Sequence, residues 1–321
     1  MPKKILAADI GGTSSRFAAF ESKDGEELRL VTSTWLKTAD AATFAELLTL
    51  LRESTFPLQP EDADMCVIAI AGPIERGVYV KPPLIPWEVD LKGAQRDFGI
   101  RRFALVNDFL VQAFACRSPI GRKAELIIHG SIDEKGAVAC IGAGTGLGKS
   151  FLLPDGRGGY VGGSSEGGHT NFAPENEREF EFAKFLCKQY SVDYATWNHI
   201  VSGIGLRWIH EFLTGEQLDP KDVASRFETH PETLEWASRF YGRVCRNFAL
   251  ETMAFGGVYI AGGVAAKNPQ LVKSKVFRTE FHHSFVHRKV LEIMPVFLND
   301  NEESGLWGAG LYGAQMLRLG A

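Results

Sequence analysis

The sequence predicts an α/β protein made of two similar halves, and three observations lead to this fold class. Short apolar runs that end in Gly or Asp alternate with segments of helical periodicity, as strands and helices do in α/β proteins. A strand, a glycine turn and a second strand occur near the N-terminus and again about 130 residues later. The 321 residues are enough for two domains, and 45% hydrophobic with 23% charged residues is ordinary for a globular protein.

The first half begins with the apolar run 5–10, which stops at two glycines and resumes at 16–20, so this part predicts a β-hairpin. A helix is expected at 41–53, followed by a strand at 65–71 that ends at a Gly-Pro pair. A strand at 102–106 ends at Asn-Asp, and a helix continues from there through residue 116.

The second half repeats the arrangement, with a hairpin from strands at 137–141 and 150–153. A buried strand at 257–261 runs into two glycines, and a last helix is expected at about 303–317. Four further helices are expected between these elements, at 177–190, 205–213, 221–229 and 232–254.

Composition and charge exclude several classes of partner. With 35 basic and 39 acidic residues the formal charge is −4, and no long basic run occurs, so neither a nucleic-acid nor a membrane-surface partner is expected. The run 5–10 is too short to cross a membrane.

The 5 cysteines lie far apart without a C-x-x-C pair, which predicts mostly buried thiols in a reducing compartment. We therefore expect a cytoplasmic protein.

The segment 143–150 fits a loosened phosphate-loop pattern, with Ala143 in place of the first glycine. A phosphate loop must lead into a helix, and Pro154 with the glycines that follow it excludes a helix there. Two interpretations stay open for this loop alone: a hairpin turn that needs glycine for its geometry, or an anion site formed by N–H groups of glycines 142, 144, 146 and 148. The matching turn at 9–15 favours the second, with two turns holding one polyphosphate from both sides.

Six short motifs follow one another along the chain. They are D-I-G-G-T at 9–13, N-D-F at 107–109, G-A-G-T-G-L-G at 142–148, S-E-G-G-H at 165–169, S-G-I-G-L at 202–206 and I-A-G-G-V at 260–264. In these motifs and their order the chain resembles bacterial-type glucokinases, of the actin/hexokinase/Hsp70-like ATPase superfamily, from residue 5 to about residue 317.

The resemblance implies a duplicated actin-like ATPase fold of the ribonuclease H-like type, with two domains around a central cleft. The small α/β domain would be 1–109 plus 307–321, and the large α/β domain 110–306. The implied reaction is transfer of the γ-phosphoryl group of ATP to a sugar hydroxyl, with Mg²⁺ as the metal. Dimers are common in the family, so the resemblance leaves a homodimer open.

The resemblance also implies roles for single residues. The Asp of the N-D-F motif is the general base for the sugar hydroxyl in the family, which implies that role for Asp108, and Asp9 is implied to orient Mg²⁺ through water. Sugar contacts are implied for Asn107, Asp108, Glu166, His169 and Asn198. Nucleotide contacts are implied for Gly11, Gly12, Thr13, Gly144, Thr145, Gly146, Gly262 and Gly263.

Several of these residues also have a simpler structural explanation. Asp108 can cap a helix at its strand–helix junction, and Asp9 can hydrogen-bond the backbone of its own turn. The glycines 262–263 can form a bare turn. Arg16 and Lys149 could add positive charge near the phosphates, but solvation at the surface is the expected role of both.

The sequence departs from the family pattern at three positions. Asn198 stands where a Glu that binds a sugar hydroxyl is usual, Leu84 where Asn is usual, and Ser165 where Gly is usual. Glucose phosphorylated on O6 is the expected reaction, and another hexose or an amino sugar is the alternative. A non-catalytic sugar- and ATP-binding regulator is the alternative from another class, and the presence of Asp108 argues against it. ADP or polyphosphate stays open as the donor.

Overall fold

The computed structural model describes residues 1–23 and 27–320 and divides into two compact units. Unit 1 is Met1–Lys123 with Asn301–Ala321, and unit 2 is Ala124–Asp300. These boundaries differ from the expected domain boundaries at 109/110 and 306/307. The physical reason is that the helix that begins at Asp108 packs on the C-terminal helix, which keeps both within unit 1.

Unit 1 contains one five-stranded sheet, a two-stranded ribbon and helices on both faces of the larger sheet. Its strands are β1 (Lys3–Ile10), β2 (Ser14–Ser22), β3 (Arg29–Lys37), β4 (Met65–Ile70), β5 (Tyr79–Val80), β6 (Val89–Asp90) and β7 (Phe103–Asn107). Its α-helices are α1 (Phe44–Glu53), α2 (Ala94–Phe98), α3 (Asp108–Ala115) and the C-terminal α13 (Ser304–Leu319).

The sheet of unit 1 has the strand order β3-β2-β1-β4-β7. The hairpin β1–β2 and the pair β2–β3 are antiparallel, whereas β1, β4 and β7 run parallel. Alternate residues of β1 pack into two separate cores: Leu6 with Phe44 and Leu47 of α1 on one face, and Ile5 with Leu306 of α13 on the other. Because both faces are covered, β1 is a continuous apolar run in the sequence.

The helices α3 and α13 contact each other closely because α13 presents glycines to its neighbours. A Cβ atom on Gly308 would overlap the carbonyl oxygen of Val111 and lie 2.6 Å from its carbon. Only glycine permits this approach. The C-terminal helix is therefore an integral layer of unit 1.

Unit 2 contains a six-stranded sheet and nine α-helices among its described residues. The strands are β8 (Glu125–Ile128), β9 (Val138–Ala143), β10 (Leu147–Pro154), β11 (Tyr160–Ser165), β12 (Val258–Ala261) and β13 (Val296–Leu298). The helices are α4 (Glu177–Tyr190), α5 (Trp197–Ile200), α6 (Gly203–Thr214), α7 (Pro220–Ser225), α8 (Pro231–Thr252), α9 (Gly263–Lys267), α10 (Gln270–Lys273), α11 (Lys275–Phe281) and α12 (Arg288–Glu292).

The sheet of unit 2 has the order β11-β10-β9-β12-β13-β8. Its first three strands are antiparallel neighbours, β9, β12 and β13 run parallel, and β8 joins β13 antiparallel at the far edge. The long helix α8 packs its Phe240 and Val244 into the core of this unit. Aromatic side chains of α4, α6 and α8 meet there, and Phe182 packs edge-to-face on Trp236.

A buried ion-pair network joins α8 to α4 and α11 inside unit 2. Arg243, 2% exposed, donates to both carboxylate oxygens of Glu179 at 2.7 and 3.1 Å and to Glu280 at 2.9 Å. Arg246 donates to Glu280 and to Glu175, each at 3.1 Å. Burial alone would raise the pKa of Glu179, but the hydrogen bonds and charge of Arg243 outweigh it and hold that pKa below its ordinary value.

The structure confirms the main elements that the sequence predicts. Both glycine hairpins are present, and the helix predicted at 177–190 has those bounds. After Lys149 the chain continues as β10 to Pro154, which confirms that the segment is not a phosphate loop. One detail is wrong: Gly142 and Gly148 are cross-strand partners in the ladder, so only 144–146 form the turn.

Some elements have no counterpart among the predictions, including β3, β8, β13 and the short helices α9 to α12. Four cysteines are buried as predicted, and Cys187 is half-buried. Among the described residues we find no helix with both the length and the apolar composition that crossing a membrane requires.

Candidate active site

The first group of predicted site residues lies at the carboxyl edge of the unit 1 sheet. In the parallel strands Ile10 is the register partner of Ile70, which is the partner of Asn107. The turn after β1 and the junction after β7 therefore lie on the same edge, about 10 Å apart across one intervening strand. This edge is where α/β sheets place their ligand sites.

Asp9, at the end of β1, is a largely buried carboxylate of unit 1. Its side chain is 14% exposed, and its Oδ2 lies 3.6 Å from Nη1 of Arg16, its cross-strand neighbour. Burial raises the pKa of Asp9, and the positive charge of Arg16 only partly offsets this effect. A Cβ atom on Gly305, in the first turn of α13, would overlap Oδ2 and lie 2.6 Å from Cγ of Asp9.

Arg16 is held in place by three groups of unit 1. Besides Asp9, its Nη1 donates to the carbonyl oxygen of Glu302 at 2.9 Å, and its guanidinium carbon lies 4.4 Å from the ring centroid of Trp35. The expected surface solvation is therefore wrong for Arg16, which is a partly buried partner of the Asp9 carboxylate.

The glycine turn after β1 exposes Gly11, Gly12 and Thr13 to solvent. Its base is held by Thr38, whose hydroxyl donates to the carbonyl oxygen of Gly11 at 2.6 Å. A Cβ atom on Gly12 would lie 3.2 Å from both Cβ and the carbonyl oxygen of Leu84. The turn thus faces Leu84, one of the three positions at which the sequence departs from the family pattern.

Asn107 and Asp108 form the junction between β7 and α3. The side chain of Asn107 caps α3: its Oδ1 accepts from the N–H of Phe109 at 2.9 Å, and its Nδ2 donates to the carbonyl oxygen of Gly72 at 3.3 Å. Asp108 is the first residue of the helix, half-buried, and its Oδ1 also accepts from Phe109 N at 3.0 Å. The helix has its cap in Asn107, so capping does not require Asp108.

The second group lies at the carboxyl edge of the unit 2 sheet. Ala261 is the parallel register partner of Gly142, so the turn 144–146 and the glycines 262–263 follow neighbouring strands. Gly144, Thr145 and Gly263 line one cavity of about 440 Å³, together with Lys221 and Lys267. The structure thus brings these predicted nucleotide contacts together, and the two lysines are cavity residues that the motifs do not mark.

Asn198 lies directly against the glycine turn of unit 2. Its Oδ1 accepts from the N–H of Leu147 at 2.8 Å, and a Cβ atom on Gly146 would come within 2.5 Å of the same oxygen. The turn is also tied to α6 by a hydrogen bond from Gly203 N to the carbonyl oxygen of Gly144 at 2.9 Å. The side chain of Asn198 therefore positions the turn.

Glu166 precedes a short 3₁₀ turn after β11, and His169 is the last residue of that turn. Their side chains are 67% and 62% exposed, and 3.8 Å separates Glu166 Oε2 from His169 Nε2. The turn rests on the glycine hairpin, because a Cβ atom on Gly168 would overlap the carbonyl oxygen of Leu147. The neighbouring Trp197 donates its backbone N–H to Thr170 at 3.2 Å. In unit 2 the Glu166–His169 turn, Asn198 and the turn 144–146 are thus one contiguous group.

Lys149 is buried, which contradicts the surface position expected for it. It is 2% exposed on β10, and its Nζ lies 5.1 Å from the ring centroid of Phe248. Burial lowers the pKa of Lys149, partly offset by the charge of Glu251. The expected solvation at the surface is wrong for this residue, which packs beneath the turn that carries Gly167.

Comparison with known proteins gives one consistent result. A family model described as Glucokinase matches residues 6–316. The glucokinase of Pectobacterium atrosepticum is 31% identical over 325 residues, which covers 98% of this chain and 98% of that protein. These findings confirm the resemblance carried by the six motifs.

Solved structures share the fold. The crystal structure of a glucokinase from an Antarctic psychrotroph aligns with a TM-score of 0.82 at 23% identity, covering 98% of this chain and 99% of that one. A ROK family glucokinase from Streptomyces griseus, in complex with glucose and AMPPNP, aligns with a TM-score of 0.61 at 19% identity over 97% and 99% of the two chains. With a family model matching nearly its whole length, the chain belongs to the glucokinase family.

Proposed function

We propose that the protein is an ATP-dependent sugar kinase that transfers the γ-phosphoryl group of MgATP to a hexose hydroxyl, with glucose converted to glucose 6-phosphate. One observation carries the proposal. The register of the parallel strands β1, β4 and β7 places the glycine turn after β1 and Asp108 after β7 at the same edge of the unit 1 sheet. Membership of the glucokinase family supports the reaction. The Streptomyces griseus relative, crystallised with glucose and AMPPNP, supports the sugar and the donor.

We also infer that the two units are copies of one ancestral fold of the actin-like, ribonuclease H-like type. The order β3-β2-β1-β4-β7 in unit 1 matches β11-β10-β9-β12-β13 in unit 2. In both sheets the first three strands are antiparallel neighbours, and the last two strands run parallel to the central one. Both units continue from a glycine turn after their central strand. The strand β8 is an addition at the edge of unit 2.

Asp108 is the proposed general base. Phosphoryl transfer needs positioning, charge neutralisation and a group that accepts the proton of the attacking hydroxyl. In this reaction the sugar oxygen forms a bond to the γ-phosphorus, its proton passes to the Asp108 carboxylate, and the bond from that phosphorus to the β–γ bridging oxygen breaks to release ADP. The carboxylate is held at the start of α3, where it meets the carboxyl edge of the sheet.

Asp9 is the proposed residue for Mg²⁺, and its chemistry fits the ion. A carboxylate oxygen is the type of ligand that Mg²⁺ prefers, directly or through water. Burial raises the pKa of Asp9, so the ionised carboxylate is only partly stabilised by Arg16 and gains from a further cation. When bound, the ion would neutralise charge on the phosphate oxygens.

We expect the Gly305→Ala substitution to lower kcat by about a hundredfold, because a displacement of about 1 Å at a positioned group can cost that much. The new methyl group would overlap the Asp9 carboxylate, which has little room to move between Arg16 and α13. The measurement is the steady-state rate as a function of Mg²⁺ concentration.

The control for Gly305→Ala is the same substitution in an Asp9→Ala background, where the smaller side chain leaves space. If Gly305→Ala acts by displacing Asp9, it should change kcat very little when Asp9 is already alanine. Equal and additive losses in the two backgrounds would contradict this explanation.

We propose the unit 2 cavity beside Gly144 and Gly263 for the nucleoside of ATP. A volume of about 440 Å³ lies within the range of ligand pockets. The turn 144–146 would face the phosphates with its N–H groups and the hydroxyl of Thr145. Lys221 and Lys267 at the cavity wall add positive charge of the sign that a nucleotide requires.

The exposed Glu166 and His169 are proposed to bind sugar hydroxyls, with Asn107 and Asn198. The amide oxygen of Asn198 accepts from the N–H of Leu147, and its NH₂ group remains able to donate. We expect Asn198→Glu to lower KM for glucose, because a carboxylate binds hydroxyl groups more strongly than an amide.

The Asn198→Glu test is initial-rate kinetics with glucose at saturating MgATP. Asn198→Gln is the control for side-chain length, since it keeps an amide while adding the same methylene group. A higher KM for glucose in the Glu variant but not in the Gln variant would indicate a different natural substrate.

The proposed function is tested by an ADP-release assay with MgATP over hexoses, amino sugars and pentoses. The proposal expects glucose to give the highest kcat/KM. Turnover of an amino sugar above that of glucose would reassign the substrate, and absence of turnover with every sugar would favour the regulator. Replacing ATP by ADP or polyphosphate in the same assay identifies the donor.

Two expectations accompany the proposal. The 5 free cysteines suit a reducing compartment, and we propose a cytoplasmic location. A homodimer stays open as the assembly, and sedimentation of the purified protein tests it.

A further inference from the structure

A second cavity of unit 2 is made of residues that the proposed sugar and nucleotide sites do not use. It has a volume of about 520 Å³ and is formed by α11, the loop after it and the start of α12. Three permanent cations line it: Lys275, Arg278 and Arg288. None of the described residues that line it is acidic.

The carboxylates near this cavity are already paired. Glu280 is on α11 but directs its carboxylate to Arg243 and Arg246, and Glu292 accepts from Nε of Arg288 at 2.9 Å. Arg278 uses one N–H for the carbonyl oxygen of Ile127 at 3.2 Å and has further N–H groups available. The cavity wall therefore keeps an excess of positive charge.

His282 adds an unsatisfied polar atom to the same wall. Its Nε2 is shielded from solvent and has no hydrogen-bond partner among the described residues. Burial lowers the pKa of His282, Glu292 opposes this, and Arg278 and Arg288 reinforce it by charge repulsion. A buried polar atom without a partner is costly, and an oxygen of a bound anion would supply the acceptor for a proton on Nε2.

Hydroxyl groups complete the lining, at Thr279 and Ser284. The oxygen of Ser284 accepts from the N–H of His287 at 3.0 Å, which leaves its own proton free to donate. Guanidinium, ammonium, imidazole and hydroxyl donors around one cavity form a set that matches the oxygens of a phosphoryl group.

We propose that this cavity binds the phosphoryl group of a small phosphate ester, of about the size of a hexose phosphate. The volume is in the range of sites for small ligands. The site is distinct from the proposed nucleotide cavity, with which it shares no lining residue. It stands whether or not the protein proves to be a sugar kinase, because it depends only on the residues of α11, α12 and the loop between them.

The test is isothermal titration calorimetry of the full chain with inorganic phosphate and with glucose 6-phosphate, at constant ionic strength set with chloride. The variant is Lys275→Gln combined with Arg288→Gln, which removes two cations and leaves the Arg278–Ile127 bond intact. We expect affinity for both probes to fall at least tenfold, since a hydrogen bond to a charged group is worth about that factor. Lys289→Gln, an exposed lysine of α12 outside the cavity, is the matched control and should leave binding unchanged.

A second readout reports on this site alone. Phosphate should shift the imidazole proton resonance of His282, identified by its disappearance in His282→Gln. Binding that is the same in the wild type and in the double variant, as for phosphate held at the proposed active site, would overturn the proposal. So would an equal loss in Lys289→Gln, which would mean only general charge attraction. The sugar-kinase assay is separate, since its failure changes neither of these results.

Discussion

The Asp108→Ala variant is expected to lose sugar-kinase turnover by about 10²–10⁴-fold, the typical contribution of a positioned general base. Glucose or ATP should still raise its melting temperature, because the other contacts proposed for each ligand are left intact. The fold should tolerate the change, since Asn107 provides the cap of α3. The measurements are kcat by coupled ADP release and thermal shift with each ligand.

Two further variants separate the base from other roles of Asp108. Asp108→Asn keeps an oxygen for the N–H of Phe109 but cannot accept the proton, so it should be as impaired as the alanine variant. Asp62→Asn, which neutralises an exposed carboxylate elsewhere in unit 1, should keep full activity. Near wild-type turnover in Asp108→Ala would defeat the assignment of the base.

The largest effect on stability is expected for Arg243→Met, which should lower the free energy of unfolding by about 3–5 kcal/mol, because removing one partner leaves a buried charge uncompensated. Glu179 is 0% exposed and would lose both hydrogen bonds from the guanidinium group. Glu280 would keep Arg246 as a partner. Urea denaturation followed by circular dichroism measures the difference.

The effect should depend on pH in a definite direction. In the wild type the pKa of Glu179 lies below its ordinary value of 4.5, so the pair stabilises the fold above that pH and this contribution is lost as the pH falls through the lowered value. In Arg243→Met burial without the partner should instead raise that pKa. The destabilisation is then greatest near pH 7 and shrinks towards about pH 4, where Glu179 is protonated in the variant.

Arg239→Met is the matched control, because Arg239 lies on the same helix and forms its ion pair with the exposed Glu235, whereas its charge has the smallest of the effects that lower the pKa of Glu179. Exposed pairs contribute about 1 kcal/mol or less, so this variant should stay close to the wild type. A loss of the same size in both variants would show that side-chain packing on α8, rather than the buried charge, decides the result.

Elements with strong local signals could be predicted from the sequence. Both hairpins were predictable because apolar runs are interrupted by glycine at the turn, and α4 because Asn176 caps it with an acidic first turn. The strand β3 was missed because it is an edge strand with mixed polar and apolar side chains, including the half-exposed Trp35. The strand β13 has only three residues, too few for a periodic pattern.

In the candidate site, too, the sequence predicts only the features that have a local signal. The motifs indicate Asp9, Asp108 and the glycine turns, whose proposed roles stay predictions, but a motif does not show which side chain supports a turn. The bond from Leu147 N to Asn198 joins residues 51 positions apart and depends on tertiary packing. Lys149 was expected at the surface because lysine is almost never buried, and only the structure shows the aromatic wall that covers it.

The packing of α13 on α3 has a consequence for synthesis on the ribosome. Unit 2 is one continuous segment, whereas unit 1 is made of two, Met1–Lys123 and Asn301–Ala321. As the nascent polypeptide emerges, the unit 1 sheet lacks the α13 part of the layer on one face until residues 301–320 have left the exit tunnel. The segment 124–300 can therefore complete its folding first, and the N-terminal segment must wait with apolar surface exposed, in the state where chaperones bind.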